Sequence, residues 1–183
     1  MLSLVINFLI FQAAWFITIF SAAAGLPWYG PAFTLLWMAF HLLFFTERRL
    51  AEINILLFTA ILGYLIDSLQ VLLGIFSFPS QSSLGAPSTL WMVALWINLA
   101  ATLNISLKWL HRRLLLAGLL GAIGGPLAYF AGSQIGALEF GHSWSLAVIS
   151  LQWSIAMPLL IWFAQRHSET RLSHLNYNNS ANN

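Results

Sequence analysis

The sequence predicts an all-α fold, a polytopic bundle of about six transmembrane helices with both termini in the cytoplasm. Three observations predict it. Of the 183 residues, 60% are hydrophobic and only 7% are charged, with a mean hydropathy of +0.81. A soluble domain is about 25% charged and needs those groups to cover its surface. Six stretches approach the roughly 20 apolar residues that cross a hydrocarbon core about 30 Å thick. Finally, the seven Lys and Arg residues fall only into alternate connections. Backbone groups in lipid must bond internally, so such stretches are helices rather than strands. The same composition excludes an ordinary soluble enzyme, a disordered chain and a disulfide-stapled secreted domain. The absence of cysteine also excludes zinc or iron–sulfur sites held by thiolates.

The spans are expected at about 2–24, 28–45, 53–78, 89–107, 114–132 and 146–164. The first carries no charge. Ser21–Ala22–Ala23–Ala24 offers an Ala-x-Ala site, but no basic region precedes the run, so the span is expected to be retained. The second is the shortest. From Pro31 to Phe45 it gives about 22 Å of helix, so it is read as starting at Trp28 and ending where Arg48 and Arg49 snorkel to the headgroups. The alternative is a re-entrant hairpin with span one. A single membrane domain is expected over 1–165, followed by a polar, Asn-rich, disordered cytoplasmic tail over 166–183.

Orientation follows from the basic residues. Arg48 and Arg49 separate spans two and three, Lys108, Arg112 and Arg113 separate four and five, and Arg166 and Arg171 follow span six. The connections 25–29, 79–88 and 133–145 carry none. The pI near 9.4 therefore speaks of membrane sidedness and not of nucleic acid. Trp28, Tyr29, Trp91 and Trp144 are expected at the outer boundary, and Trp109 and Trp162 at the inner one. A faint internal echo also exists. Gly63, Leu65, Gly74 and Phe78 recur as Gly125, Leu127, Gly136 and Phe140, a constant offset of 62, and transporters are often built from repeats.

Polar residues inside spans need a reason. Asp67 is the acidic residue well inside one, where a charge costs on the order of 3 kcal/mol. Gly63, Gln70 and Gly74 share its helix face. Gln152 in span six and Glu139 and His142 in the connection before it reach the same outer half. Asp67, Gln70, Glu139, His142 and Gln152 are therefore the candidate binding residues of an outward polar pocket walled by Trp91, Trp144 and Trp153. The competing reading makes Asp67 structural, bonded to a neighbouring Asn, Gln or Trp, and Glu139 and His142 solvated loop residues. No His-x-x-x-His or paired-carboxylate motif and no Gly-x-Ser-x-Gly turn occurs, so no metal, cofactor or nucleophile is expected. His41, Asn54 and Asn104, with Asn7, Gln12 and Asn98, read as interhelical hydrogen-bonding glue.

Small residues mark packing faces. Gly121/Gly125 and Gly132/Gly136 form Gly-x-x-x-Gly pairs around a kink expected at Pro126. Ala14 and Thr18 belong to a stripe on span one, placed to meet span five or another protein.

With six spans, the segment Trp96–Ile97–Asn98–Leu99 and the run Gly124–Gly125–Pro126–Leu127–Ala128–Tyr129-x-x-Gly132-x-x-x-Gly136–Ala137, the chain resembles a family of small bacterial inner-membrane proteins without assigned function, over most of residues 4–165. The resemblance implies a bacterial cytoplasmic membrane. It also implies a lipid as candidate ligand, because family members look to be encoded near lipid-modifying enzymes. It supplies no catalytic residues. A looser likeness is to the substrate-capturing subunits of energy-coupling-factor transporters. Those are similar in span number, length and outward pocket, and have a small-residue face on the first helix that Ala14-x-x-x-Thr18-x-x-x-Ala22 approximates. Three functions follow as expectations: binding or transport of a lipid or small hydrophobic molecule, lipid-modifying catalysis by Asp67 or Glu139 with His142, or non-catalytic assembly with another membrane protein.

Overall fold

The computed structural model describes residues 2–181, and side chains as far as Ser168. Of the tail expected over 166–183, the backbone is therefore described to Ala181 and the side chains only to Ser168. Six α-helices run in order: α1 (Leu2–Ala23), α2 (Tyr29–Phe44), α3 (Arg49–Leu72), α4 (Leu90–Ala100), α5 (Leu114–Ile135) and α6 (Ser145–Ala181). A two-stranded antiparallel ribbon, β1 (Phe76–Ser77) with β2 (Glu139–Phe140), closes one end. Four helices are long and apolar enough to cross a membrane, namely α1, α3, α5 and the first 24 residues of α6, Ser145–Ser168. Their sides are covered with exposed Leu, Ile and Phe such as Leu9, Phe20, Leu57, Ile61, Leu65, Leu115 and Leu119, as lipid-facing surfaces require.

The basic residues gather at the other end of the bundle. Arg48 donates from its guanidinium to the Ser168 carbonyl, and the Arg112 backbone N–H donates to Gln165 Oε1 at 3.0 Å. The α2–α3 and α4–α5 connections thus meet the end of the described part of α6.

Span four departs from expectation. Its helix stops at Ala100, and 101–110 fold into tight turns ending in a 3₁₀ turn, Lys108–Leu110. The polar residues of this segment explain the break. Thr102 Oγ1 bonds the Leu99 carbonyl at 2.6 Å, competing with the helix ladder. Non-helical backbone at membrane depth survives only when protein surrounds it and satisfies it. Ala101, Thr102 and Leu103 are buried. Asn7 Nδ2 donates to Ala101 O at 3.0 Å, Ser106 Oγ donates to Asn7 Oδ1 at 2.5 Å, and His111 Nε2 lies 3.1 Å from Leu103 O. Asn7, anticipated as glue, therefore holds irregular backbone, and Asn98 donates to Phe11 O of α1, whereas Gln12 makes no hydrogen bond among the described residues.

The prolines are compensated in a similar way. Pro126 inside α5 cannot bond the Ala122 carbonyl, and Ser150 Oγ of α6 takes that acceptor at 2.7 Å. Pro158 does the same to Ser154 O, which faces the bare Cα of Gly118. Each orphaned carbonyl points at the other helix, and α5 with α6 makes the most extensive contact in the bundle.

The sequence echo has a structural counterpart. Gly74 and Gly136 end α3 and α5 in the left-handed region, with φ of +69° and +87°, where glycine carries no Cβ penalty. Ile75 N–H bonds Gln70 O at 2.9 Å, and Ala137 N–H bonds Gly132 O at 3.0 Å. The chain then enters β1 and β2, which pair Ser77 with Glu139, positions again 62 apart. α3 and α5 thus end in the same way, each leading into one strand of the ribbon. Gly136 is a helix cap and not the packing partner of Gly132 that the Gly-x-x-x-Gly spacing suggested, since a Cβ there would meet nothing within 4 Å. Gly132 packs against Leu138 and Ile19, each more than 3.4 Å from its Cβ position.

Candidate functional site

Near the middle of the bundle two indoles stack face to face. Trp96 of α4 and Trp153 of α6 lie with centroids 4.5 Å apart and planes 8° from parallel. Gly63 backs the Trp96 ring and Gly125 backs the Trp153 ring. A Cβ at either glycine would overlap the indole. These two glycines are 62 residues apart, and each gives its ring the room to stack. Gly121 likewise lets α5 approach the Trp153 carbonyl and Met157. The pair Gly121/Gly125 is therefore occupied by α6. Ala14 and Thr18 are buried, and Thr18 lies against Gly30 of α2, so that stripe serves α2 where span five or another protein had been expected to meet it.

One turn beyond Gly63, Asp67 is completely buried. Trp96 Nε1 donates to its Oδ2 at 2.8 Å and the Tyr129 hydroxyl donates to its Oδ1 at 2.6 Å. Tyr129 stands 62 residues after Asp67. The carboxyl thus fixes one indole of the stack and one phenol of α5. Gln70 continues this face of α3, its Nε2 donating to Gln152 Oε1 of α6 at 3.2 Å.

Of the five expected binding residues, the structure gathers Asp67, Gln70 and Gln152 along the α3–α6 seam. Glu139 and His142 lie at the surface of the ribbon end, Glu139 opposite Ser77 and His142 stacked on Trp144 with centroids 4.6 Å apart. Trp91, expected at the membrane boundary, is fully buried and donates to Ser82 O at 2.8 Å. Among the described residues no three His, Asp or Glu side chains come together as a metal set.

A second polar cluster lies toward the basic end. Glu52, nine-tenths or more buried, holds His41 Nε2 at 3.0 Å from its Oε1 and accepts from Asn104 Nδ2 at 3.0 Å on its Oε2. His41 and Asn104 bridge helices as expected, whereas Asn54 is exposed. Glu52 itself was not anticipated, because span three was expected to begin after it. The signal was present: Glu52, Thr59, Gly63, Asp67 and Gln70 fall on one helical face at 100° per residue, and all five are buried.

The cavity lies on the far side of the Trp–Tyr wall. α1 and α5 barely touch, and between them opens a slot of about 560 Å³. Phe11, Gln12, Trp15 and Ile19 line it from α1, Leu120 to Ala131 from α5, and Trp96, Tyr129 and Trp153 form its floor. None of the five expected binding residues lines it. Asp67 lies behind the floor, bonded to two of the rings that form it. Gly124 faces it with no atom within 4 Å of its Cβ position.

Neither a curated protein nor a solved structure matches the chain. One family model does, and it covers residues 4–159. The chain belongs to that family, described as a protein of unknown function (DUF2878).

Proposed function

We propose that this is a multi-pass protein of a bacterial cytoplasmic membrane, both termini inside, that binds a lipid chain or small hydrophobic molecule between α1 and α5. The observation that carries the reading is the 560 Å³ slot. Ligand sites are concave, mostly apolar, and of roughly 300–1,000 Å³, and this one opens where two apolar helices diverge. The polar residues take positioning parts. Asp67 holds Trp96 and Tyr129 in the floor, Gln70 with Gln152 ties α3 to α6 behind it, and Glu139 and His142 lie at the ribbon end. The Gly121/Gly125 pair and the Ala14/Thr18 stripe are covered by α6 and α2 within the chain, whereas Gly124 stands open in the slot. The confinement of Lys and Arg to one end supports the orientation. Catalysis is the weaker reading, since Asp67 is sealed by two donors while Glu139 and His142 are solvated.

Native mass spectrometry of the full chain released from mild detergent tests this. Wild type is expected to retain an apolar mass, and Gly124→Phe, which fills the slot from a position with open space, is expected to lose it while melting at the same temperature. Retention of the same mass by Gly124→Phe would place the ligand elsewhere and overturn the reading.

A further inference from the structure

The two ends of the slot differ in charge. Toward the ribbon its lining reaches Leu138, and the next residue is the exposed Glu139, in a connection that carries no Lys or Arg. Toward the other end it is lined by Leu107 and Leu110. Both belong to the segment 107–113, which carries Lys108, Arg112 and Arg113 and no carboxylate. The 3₁₀ turn Lys108–Leu110 eclipses positions three apart, so Leu107 and Leu110 reach the slot from one side of it while Lys108 and Trp109 stay exposed. Arg113 is the N-cap of α5. At 3.6 residues per turn it falls within about 20° of Leu120, Gly124 and Ala131, three residues that line the slot. Arg113 therefore stands at the foot of the lining face, about 10 Å along α5 from Leu120.

Cations at this end are expected of any chain that keeps Lys and Arg on one side of a membrane, so the telling point is which of them the chain itself uses. Arg48 donates to the Ser168 carbonyl, Arg49 Nε donates to Leu42 O at 3.0 Å, and the Arg166 guanidinium lies 5.4 Å from the centre of the Trp162 ring. Arg112 is engaged as well, its backbone N–H donating to Gln165. The Lys108 and Arg113 side chains are exposed and make no hydrogen bond, ion pair or ring contact among the described residues. No residue of α2 or α3 lines the slot, so Arg48 and Arg49 stand on elements away from it. The cations left uncommitted are the two beside the slot. A negative headgroup gains at that end and is repelled by Glu139 at the other, which also fixes its direction.

We infer that the occupant is an anionic lipid, its chain in the slot and its acidic headgroup on Lys108 and Arg113. This rests on reading the slot as the binding site. Purified full-length protein in mild detergent is offered dioleoyl phosphatidylglycerol or dioleoyl phosphatidylcholine, which share their chains and differ in net charge. Bound adducts are counted by native mass spectrometry. Wild type should prefer the anionic lipid by about 25-fold, the product of a fivefold gain from each of the two cations. Lys108→Gln and Arg113→Gln should each lose one such factor, and Arg113→Lys, which keeps the charge, should keep the preference. Arg49→Gln removes a charge from the same end but away from the slot, and should keep it too. Gly124→Phe should bind neither lipid. Equal binding of the two lipids by wild type, an undiminished preference in both glutamine variants at 108 and 113, or an equal fall in Arg49→Gln overturns this inference and leaves the slot as a site for uncharged chains. Binding of either lipid by Gly124→Phe, or of neither by wild type, overturns the underlying reading as well. So does a second polypeptide that copurifies with wild type and is released by Gly124→Phe.

Discussion

At the scale of single residues, the unusual feature is a carboxyl whose two oxygens each receive one donor from an aromatic side chain. Asp67 gains its place by holding Trp96 and Tyr129, and removing it strands both. An unpaired buried donor costs about 1–3 kcal/mol, so Asp67→Leu is expected to lower the melting temperature in detergent more than Tyr129→Phe, which frees a single acceptor. Asp67→Asn keeps one acceptor and should fall between wild type and Asp67→Leu. Differential scanning fluorimetry of the three variants orders them, and a melting curve for Asp67→Leu that matches wild type would show the network to be idle. The residue identities were partly readable. A buried polar face around Asp67 followed from helical spacing, and tryptophan was among its anticipated partners. Tyr129 was not, because a phenol inside a glycine-rich run carries no sign of what it faces. The expected polar pocket went beyond what spacing can give, since spacing fixes a side chain's angle around one helix but not which residues of other helices reach it.

Helix–helix recognition works here by repairing backbone. Pro126 frees the Ala122 carbonyl and Ser150 caps it at 2.7 Å from α6, so the proline and the serine should be coupled. Ser150→Ala alone is expected to cost about 1 kcal/mol, since it leaves a carbonyl unpaired. In a Pro126→Ala background the helix supplies its own bond, and the same serine substitution should cost little. A double-mutant cycle on thermal stability measures the coupling, and additive effects would deny the link. The contrast with α4 shows what the sequence can and cannot tell at this scale. Six apolar stretches were visible because hydropathy is a property of composition. The break after Ala100 was not, because Thr102, Asn104 and Ser106 look like tolerable polar residues in a helix until Asn7, Glu52 and His111 are brought against them. For the same reason the Gly132/Gly136 spacing misled: Gly136 stands where α5 must end, and a helix end is set by the left-handed turn leading into β2.

Across the whole molecule one asymmetry organises the chain, and it is charge. The Arg48–Arg49 turn, the 108–113 segment and the region around Arg166 meet at one end, while the ribbon end carries Glu139 and no Lys or Arg. If Lys and Arg stay on the cytoplasmic side, the ribbon faces outward. The chain contains no cysteine, so single replacements report without background. Ser143, exposed beside β2, and Lys108, exposed at the basic end, are suitable positions. A membrane-impermeant maleimide added to intact cells is expected to label Ser143→Cys at once and Lys108→Cys only after permeabilisation. Labelling of Lys108→Cys in intact cells, with Ser143→Cys protected, would invert the bundle.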